Sequence, residues 1–126
     1  MNAMTAADEV TDLRHQRRDL RRELARVRWW RRLIAARRDL TLAALTVPDS
    51  VGQDEHAFHA LAVDAPTAIE LTGAVWPDIQ DVNVADLDAL DELDGRLDRY
   101  ERWLSATLDT VTAHMVEAMG RAHRTL

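Results

Sequence analysis

The residues best suited to chemistry in this sequence are histidines, but their spacing does not indicate a metal site. His56 and His59 lie three residues apart on a predicted short helix, beside Asp54 and Glu55. One helical turn can present both rings to an ion, but a complete site needs further ligands. The His-Glu-x-x-His pattern and the Glu-x-x-His pattern of di-iron bundles are both missing from the sequence. We therefore expect solvated or core histidines and no metal.

Composition and spacing also speak against nucleophilic and phosphate-loop chemistry. The chain contains no Cys, which excludes thiol catalysis and cysteine-ligated zinc. Ser50 and Ser105 lack a glycine-rich elbow, and the four glycines form no cluster that could cradle a phosphate. A helical-bundle enzyme similar to chorismate mutase fits the arginine-rich helices, but such pockets commonly use a lysine and this chain has none. We predict a protein that is not an enzyme.

Charge divides the 126 residues into a basic and an acidic part. Residues 1–40 contain eleven Arg and six carboxylates, whereas residues 41–126 contain five Arg and sixteen carboxylates. The arginine run from Arg14 to Arg38 can neutralise nucleic-acid phosphates. The chain has no helix-turn-helix signal, and its 22 acids can fold back against this run. We therefore favour a basic face that pairs internally over direct nucleic-acid binding.

Two long amphipathic helices must position these residues. Between Thr5 and Thr46 there is no Pro or Gly, and apolar residues recur at spacings of three, four and seven, which predicts a helix over 5–46. A similar pattern predicts a helix over 84–122, which Gly95 weakens without stopping. The predicted apolar stripes are Leu13, Leu20, Leu24, Val27, Ile34, Thr41 and Leu45 in the first helix and Leu90, Leu93, Leu97, Tyr100, Leu104, Leu108, Val111, Met115 and Ala118 in the second.

The connecting segment, 47–83, is predicted to contain two short helices, over 51–63 and 66–72, with Gly73 as the stop of the second. An ordered loop is expected over 74–84. The long helices should pack as an antiparallel, coiled-coil-like hairpin, which makes the fold all-α and residues 1–126 a single helical domain. A polar N-terminus and the lack of an apolar run of about 20 residues favour a cytoplasmic protein that does not contact membranes.

Two stretches resemble the signature helices of a known family. Residues 28–45, RWWRRLIAARRDLTLAAL, and residues 97–124, containing RYERWLS, are similar to the first and second signature helices of the RsiG-type anti-sigma factors of actinobacteria. In that family a long helical hairpin binds the sporulation sigma factor WhiG. It also holds a cyclic-di-GMP dimer through the motif Glu-x3-Ser-x2-Arg-x3-Gln-x3-Asp on each helix. The resemblance implies a transcription regulator that captures a sigma factor through its helical faces.

The cyclic-di-GMP motif is only partly kept. Its positions fall on Leu24, Arg28, Arg31, Ala35 and Asp39 in the first helix and on Glu101, Ser105, Leu108, Thr112 and Val116 in the second. The resemblance therefore implies nucleotide-binding positions at Arg31, Asp39, Glu101 and Ser105.

Opposed motif faces place Asp39 near Glu101 and Arg31 near Leu108, so the four kept residues gather at the end of the groove closest to the connecting segment. Because several other motif positions are apolar, we expect no binding of a full cyclic-di-GMP dimer. Two alternatives stay open for the kept residues. One is a reduced nucleotide site, and the other is an interhelical network in which Arg31 pairs with Asp39 or Glu101.

Aromatic and acidic residues are the candidates for partner binding. Adjacent helical residues point about 100° apart, so at most one of Trp29 and Trp30 can lie in the helix seam. Core packing and an interface hot spot both remain open for these tryptophans. The seven carboxylates of residues 78–94 form a patch without Arg that complements the basic DNA-facing surface of a sigma factor. We predict partner binding through Trp29, Trp30, Asp88, Asp91 and Glu92.

A different class of protein is the alternative to this hypothesis. The same helices suit a structural or self-assembling coiled-coil protein that binds neither nucleotide nor sigma factor. The sequence is compatible with a monomer and with a homodimer.

Overall fold

The computed structural model describes residues 5–46, 51, 64–76 and 84–124, nearly all of them helical. Helix α1 is Ala6–Leu45, helix α2 is Ala68–Val75, and helix α3 is Val84–Arg124. These ranges contain no strand, so the predicted all-α fold class is confirmed. Both long helices agree with their predicted bounds to within two residues at each end.

Local capping explains where the first two helices begin. At the start of α1, the Thr5 N–H donates to Asp8 Oδ2 at 3.4 Å, and the Asp8 N–H donates to Thr5 Oγ1 at 3.1 Å. Helix α2 begins with a capping box in which the Glu70 N–H donates to Thr67 Oγ1 at 3.2 Å and the Thr67 N–H donates to the Glu70 carboxylate at 2.8 Å. Side chains at these starts thus satisfy backbone donors that have no partner within the helix.

The predicted bounds of α2 are wrong by two to three residues. Thr67 is its cap, and Gly73 lies inside the helix rather than stopping it. The loop predicted over 74–84 is helical up to Val75. The short helix predicted over 51–63 lies outside the described residues, except for Val51.

Contacts divide the chain into two units, one formed by Met1–Ala35 with Asp91–Leu126 and the other by Ala36–Leu90. In the first unit α1 and α3 run antiparallel. Glu9, near the start of α1, pairs with Arg121 near the end of α3 at 2.7 Å, whereas Arg31 pairs with Asp94 at 2.9 Å. The predicted antiparallel hairpin is confirmed in this unit.

Two apolar clusters hold the helices of the first unit together. The first contains Val10, Leu13, Val111 and Ala118, and the second contains Leu24, Val27 and Leu104. Leu20 packs against both clusters. Leu104 is 2% exposed and Ala118 is fully buried. The contacts follow the three-and-four spacing of a coiled-coil seam, so the helical period read from the sequence identifies most of the core.

Two predicted seam positions of α3 are wrong. Leu93 and Tyr100 are 46% and 40% exposed. The seam passes through Asp94 and Glu101 instead, each one residue further along, because Arg31 of α1 supplies their counter-charge. A prediction that counts only apolar residues cannot find a seam position that a charged residue occupies.

The second unit buries few of the residues that the structure describes. Thr41 is 2% exposed, and its hydroxyl donates to the Arg37 carbonyl at 2.8 Å. Trp76, directly after α2, donates its indole N–H to the Leu40 carbonyl at 3.1 Å. Leu45, predicted on the stripe of α1, is 44% exposed, so that part of the prediction is wrong. Across the described residues, no helix is long and apolar enough to cross a membrane.

Candidate functional site

Arg31 occupies a position of α1 that belongs to the seam between the helices. It follows the buried Val27 by four residues, at core spacing. Its guanidinium donates to Asp94 at 2.9 and 3.1 Å, to Asp98 at 3.2 Å and to Glu101 at 3.3 Å. One cation of α1 is therefore held by three carboxylates of α3.

The three carboxylates meet Arg31 because of their spacing. Asp94, Asp98 and Glu101 are separated by four and three residues, so they lie on one face of α3. The hydrogen bond to Asp94 is the largest effect on Arg31 and raises its pKa above the ordinary value. Desolvation lowers the pKa by a smaller amount, and the hydrogen bond to Glu101 raises it further. The hydrogen bond from Arg31 lowers the pKa of Asp94. Arg31 and Asp94 are thereby stabilised in their charged forms near neutral pH.

This ionic network lies at the edge of the seam and not in a sealed core. The side chains of the network are between 24% and 40% exposed to solvent. Arg28 approaches Glu101 from the solvent side at 3.7 Å. A charged group at a seam position selects the register that gives it a partner, so the network is suited to fixing how far α1 is shifted along α3.

The four candidate nucleotide-binding residues are divided between the two units of the chain. Arg31 and Glu101 contact each other, as the interhelical-network alternative predicts. Ser105 is half-buried one turn after Glu101. Asp39 is exposed and belongs to the second unit, whereas the other three residues belong to the first.

The register predicted from the motif is wrong. It placed Arg31 near Leu108, but Arg31 contacts residues 94–101, up to about four turns earlier along α3. Leu108 instead packs against the cluster that contains Leu24 and Leu104. The apolar seam sets the register, because Leu24 can bury itself only where α3 presents apolar side chains.

Tryptophans of both helices lie on the surface of the first unit. Trp29 and Trp30 are 55% and 57% exposed, so the core-packing alternative is wrong for both. Trp103 is 59% exposed, and its ring stacks on Tyr100 with 6.1 Å between centroids and 10° between planes. Sequence reasoning did not single out Trp103. Its signal was its position beside the seam residue Leu104, which turns it away from the partner helix.

Exposed apolar residues of α1 and α3 share one side of the hairpin. Desolvation and the negative charge of Glu23 raise the pKa of Tyr100, which places these two residues together across the seam. Trp30 follows Glu23 by seven residues, and Leu93 precedes Tyr100 by seven, so each pair shares a helix face. We call this side the aromatic flank and define it as Trp30, Leu93, Tyr100 and Trp103.

A second flank of the same unit is basic. Arg14, Arg17, Arg18, Arg21 and Arg22 line a shallow pocket of about 460 Å³ together with Met115, and we call these five arginines the basic flank. Arg17 donates to Thr112 Oγ1 at 3.2 Å. Arg21 and Trp30 are nine residues, or about two and a half turns, apart on α1, so the basic and aromatic flanks face opposite directions.

Internal pairing does not neutralise the basic flank within the described part of the chain. There, none of its five arginines has a carboxylate within 4.0 Å, although Arg28 and Arg31 do pair with acids of α3. The expected internal pairing of the basic face is therefore found at Arg28 and Arg31, whereas residues 14–22 have no carboxylate partner among the described residues.

The acidic candidates for partner binding are exposed near the start of α3. Asp88, Asp91 and Glu92 all lie at the surface, whereas Asp94 of the same patch is bound to Arg31. Among the residues with described positions, no group of three or more acidic or histidine side chains could hold a metal ion. The pair at 56 and 59 lies outside those positions.

Comparison with known proteins identifies no relative. No family model, no curated protein and no solved structure matches the chain.

Proposed function

We propose that this chain is a regulatory protein-binding module that captures a sigma factor on the aromatic flank of its helical hairpin. The proposal rests on the exposure of this flank, whose four large side chains are 40% to 59% exposed. Soluble proteins rarely leave a contiguous apolar surface open without a partner for it. Tryptophan and tyrosine are also the residues most enriched at the energetic centres of protein interfaces.

The sigma factor is proposed as the partner because of where the family resemblance falls. The segment RYERWLS carries Tyr100 and Trp103, and the segment that begins RWW carries Trp29 and Trp30. The two stretches that are similar to the anti-sigma family are thus the ones that present aromatic rings to solvent. The exposed acids near the start of α3 suit a partner with a basic surface.

Cyclic-di-GMP has no part in the proposed function. Guanine recognition needs an arginine and a carboxylate that are free to contact the base. Arg31 donates from its Nε and both terminal nitrogens to carboxylates, and Glu101 is one of those acceptors. A nucleotide would have to break this network before it could use either residue.

Calorimetric titration of the purified chain with a purified WhiG-type sigma factor tests the proposal. We expect saturable binding with a Kd of about 1 µM or tighter, which corresponds to about −8 kcal/mol, and no change on adding cyclic-di-GMP. The W30A/W103A variant should weaken binding at least tenfold. V116A is the matched control, because Val116 is 62% exposed and lies outside the aromatic flank. Absence of binding by the unmodified chain contradicts the proposal, and a requirement for cyclic-di-GMP contradicts its second part.

The alternative of a self-assembling protein uses the same observation, because a second copy can also cover an exposed apolar flank. Sedimentation equilibrium distinguishes the two. A stable oligomer that W30A/W103A dissociates, together with no heat on addition of sigma factor, favours self-assembly over capture.

A further inference from the structure

The basic flank takes no part in the proposed capture of a sigma factor. It places five arginines within nine residues of α1, and they line one pocket. In the described part of the chain, no carboxylate lies within 4.0 Å of any of them. Like charges held this close repel one another, so an anionic partner stabilises them.

The arrangement of the arginines suits an extended anion better than a compact one. Arg14, Arg18 and Arg21 follow one another at spacings of four and three, so they form a stripe along one face of α1. Arg28 and Arg32 continue the same spacing after a gap at Ala25. Arg28 also lies 3.7 Å from Glu101, and Arg32 lies over the ring of Trp29 at 5.4 Å. From the first to the last of these arginines the stripe is about 27 Å long, at a rise of 1.5 Å per residue. A small phosphorylated ligand covers only a fraction of that length.

We propose that the basic flank binds the phosphodiester backbone of a nucleic acid, without base sequence preference. Guanidinium groups are planar and can give two parallel hydrogen bonds to one phosphate, which makes arginine well suited to this ligand. A linear run of phosphates matches a linear run of arginines in both shape and charge. Contacts to phosphate carry no base information, so the affinity depends on salt and not on base order.

Two other classes of anionic partner fit this surface less well. A membrane surface needs a broad apolar face beside the cations. The aromatic ring found beside this stripe, Trp29, follows Arg22 by seven residues and lies under the guanidinium of Arg32 at 5.4 Å. An acidic protein needs an apolar anchor at the centre of the interface, and Met115, the apolar residue of the pocket, is half-buried.

Fluorescence polarisation with labelled 20-mers tests the proposal, using duplex DNA in one arm and single-stranded RNA in the other. The protein is the full chain at 50 mM and at 200 mM NaCl. Four phosphate contacts give a logarithmic salt slope of about −3.6 on duplex DNA and about −2.8 on a single strand. We therefore expect affinity for the better probe to fall about 150-fold if it is the duplex and about 50-fold if it is the RNA. The arm that binds more tightly identifies the nucleic acid. Failure of both probes to bind at 50 mM NaCl overturns the proposal.

A charge-matched pair of variants distinguishes the basic flank from net charge. R14Q/R18Q/R21Q/R22Q should lose at least tenfold in affinity at 50 mM NaCl and show a shallower salt dependence. R37Q/R96Q/R99Q/R124Q removes the same charge from exposed residues outside the flank and should stay within threefold of the unmodified chain. Equal losses in the two variants overturn the proposal. Glutamine keeps high helix propensity, and circular dichroism checks that both variants fold.

Two further measurements complete the test. Poly-glutamate of matched charge should bind at least tenfold more weakly than the better nucleic acid, and equal binding overturns the choice of phosphodiester backbone. W30A/W103A should leave nucleic-acid binding unchanged, because its substitutions lie on the opposite flank. This inference therefore succeeds or fails independently of sigma-factor capture.

Discussion

Arg31 of α1 and Glu101 of α3 contact each other at 3.3 Å, between Nη1 and Oε1. The two residues occupy motif positions that the resemblance assigns to a nucleotide. In this chain each is instead the counter-ion of the other, and Asp94 and Asp98 complete the network around the same guanidinium. The pair thus stabilises the register that the packing of Leu24 against Leu104 sets.

Removing Arg31 should destabilise the hairpin. R31A leaves three carboxylates of α3 without their shared cation, and we expect it to lower the free energy of unfolding by about 1–2 kcal/mol, less than for a fully buried ion pair because the network is partly solvated. Urea denaturation followed by circular dichroism measures this change. R18A is the control, since Arg18 is exposed and has no carboxylate within 4.0 Å in the described part of the chain, and it should stay within about 0.5 kcal/mol. Equal effects of the two substitutions contradict a stabilising role for the network.

Acid should weaken the same contact. The pKa of Asp94 is lower in the folded chain than its ordinary value, because Arg31 hydrogen-bonds its ionised form. Its contribution to stability is therefore complete above the pKa of the unfolded chain, about 3.9, and is lost as the pH falls through the lower folded value. Urea denaturation at pH 7, 5, 4 and 3 should show a loss that begins near pH 4. Between pH 5 and pH 3, R31A should lose less of its free energy of unfolding than the unmodified chain does. Identical pH profiles for R31A and the unmodified chain contradict this account.

The position of Tyr100 can be read from its ionisation. Desolvation and the nearby negative charge of Glu23 raise the pKa of its phenol above the ordinary value of 10.0. Tyr100 is the one tyrosine of the chain, so ultraviolet titration of the phenolate reports it directly. E23Q should lower the measured pKa of Tyr100, which should still stay above its ordinary value because desolvation continues to raise it. E117Q is the control, because Glu117 pairs with Arg121 and is absent from the surroundings that shift Tyr100. A pKa that E23Q leaves unchanged contradicts the placement of the aromatic flank.

Two glycines of α3 should be replaceable with a gain in stability. Gly95 and Gly120 lie inside the helix, and an added Cβ meets only the guanidinium ends of Arg99 at 3.8 Å and Arg124 at 3.6 Å, which is ordinary contact. G95A and G120A should each raise the free energy of unfolding by about 0.5–1 kcal/mol, because alanine loses less backbone entropy on forming a helix. The reverse change at the fully buried Ala118, A118G, should lower it. Destabilisation by either glycine substitution contradicts the helical environment described for it.

Charge reversal near the start of α3 should weaken capture of the sigma factor. D88K/D91K/E92K replaces three exposed carboxylates, and we expect slower association and weaker binding because a basic partner surface is then repelled. Pulldown and surface plasmon resonance with the purified sigma factor measure both effects. D19K/D64K/D109K reverses the same number of exposed charges elsewhere and should leave the association rate within threefold. Unchanged capture by the first variant removes the acidic patch from the proposed interface.

The sequence by itself determined the secondary structure because helix formation depends on near neighbours. Uninterrupted runs of helix-forming residues predicted both long helices, and the regular period of their apolar residues identified most of the buried positions. The errors in α2 have the same local origin. Thr67 and Glu70 form a capping box that overrides the signal of Pro66, and a single glycine at 73 is too weak to end a helix.

Tertiary structure alone decided the register of the two helices and the exposure of their remaining faces. Leu24 packs against Leu104, and this contact places Arg31 opposite Asp94 rather than near Leu108. The motif could not predict that register, because it marks one face of each helix but not how far one helix is shifted along the other. The same packing leaves Trp30 at the surface, since a helix of a two-helix hairpin can bury only the narrow face that its partner covers.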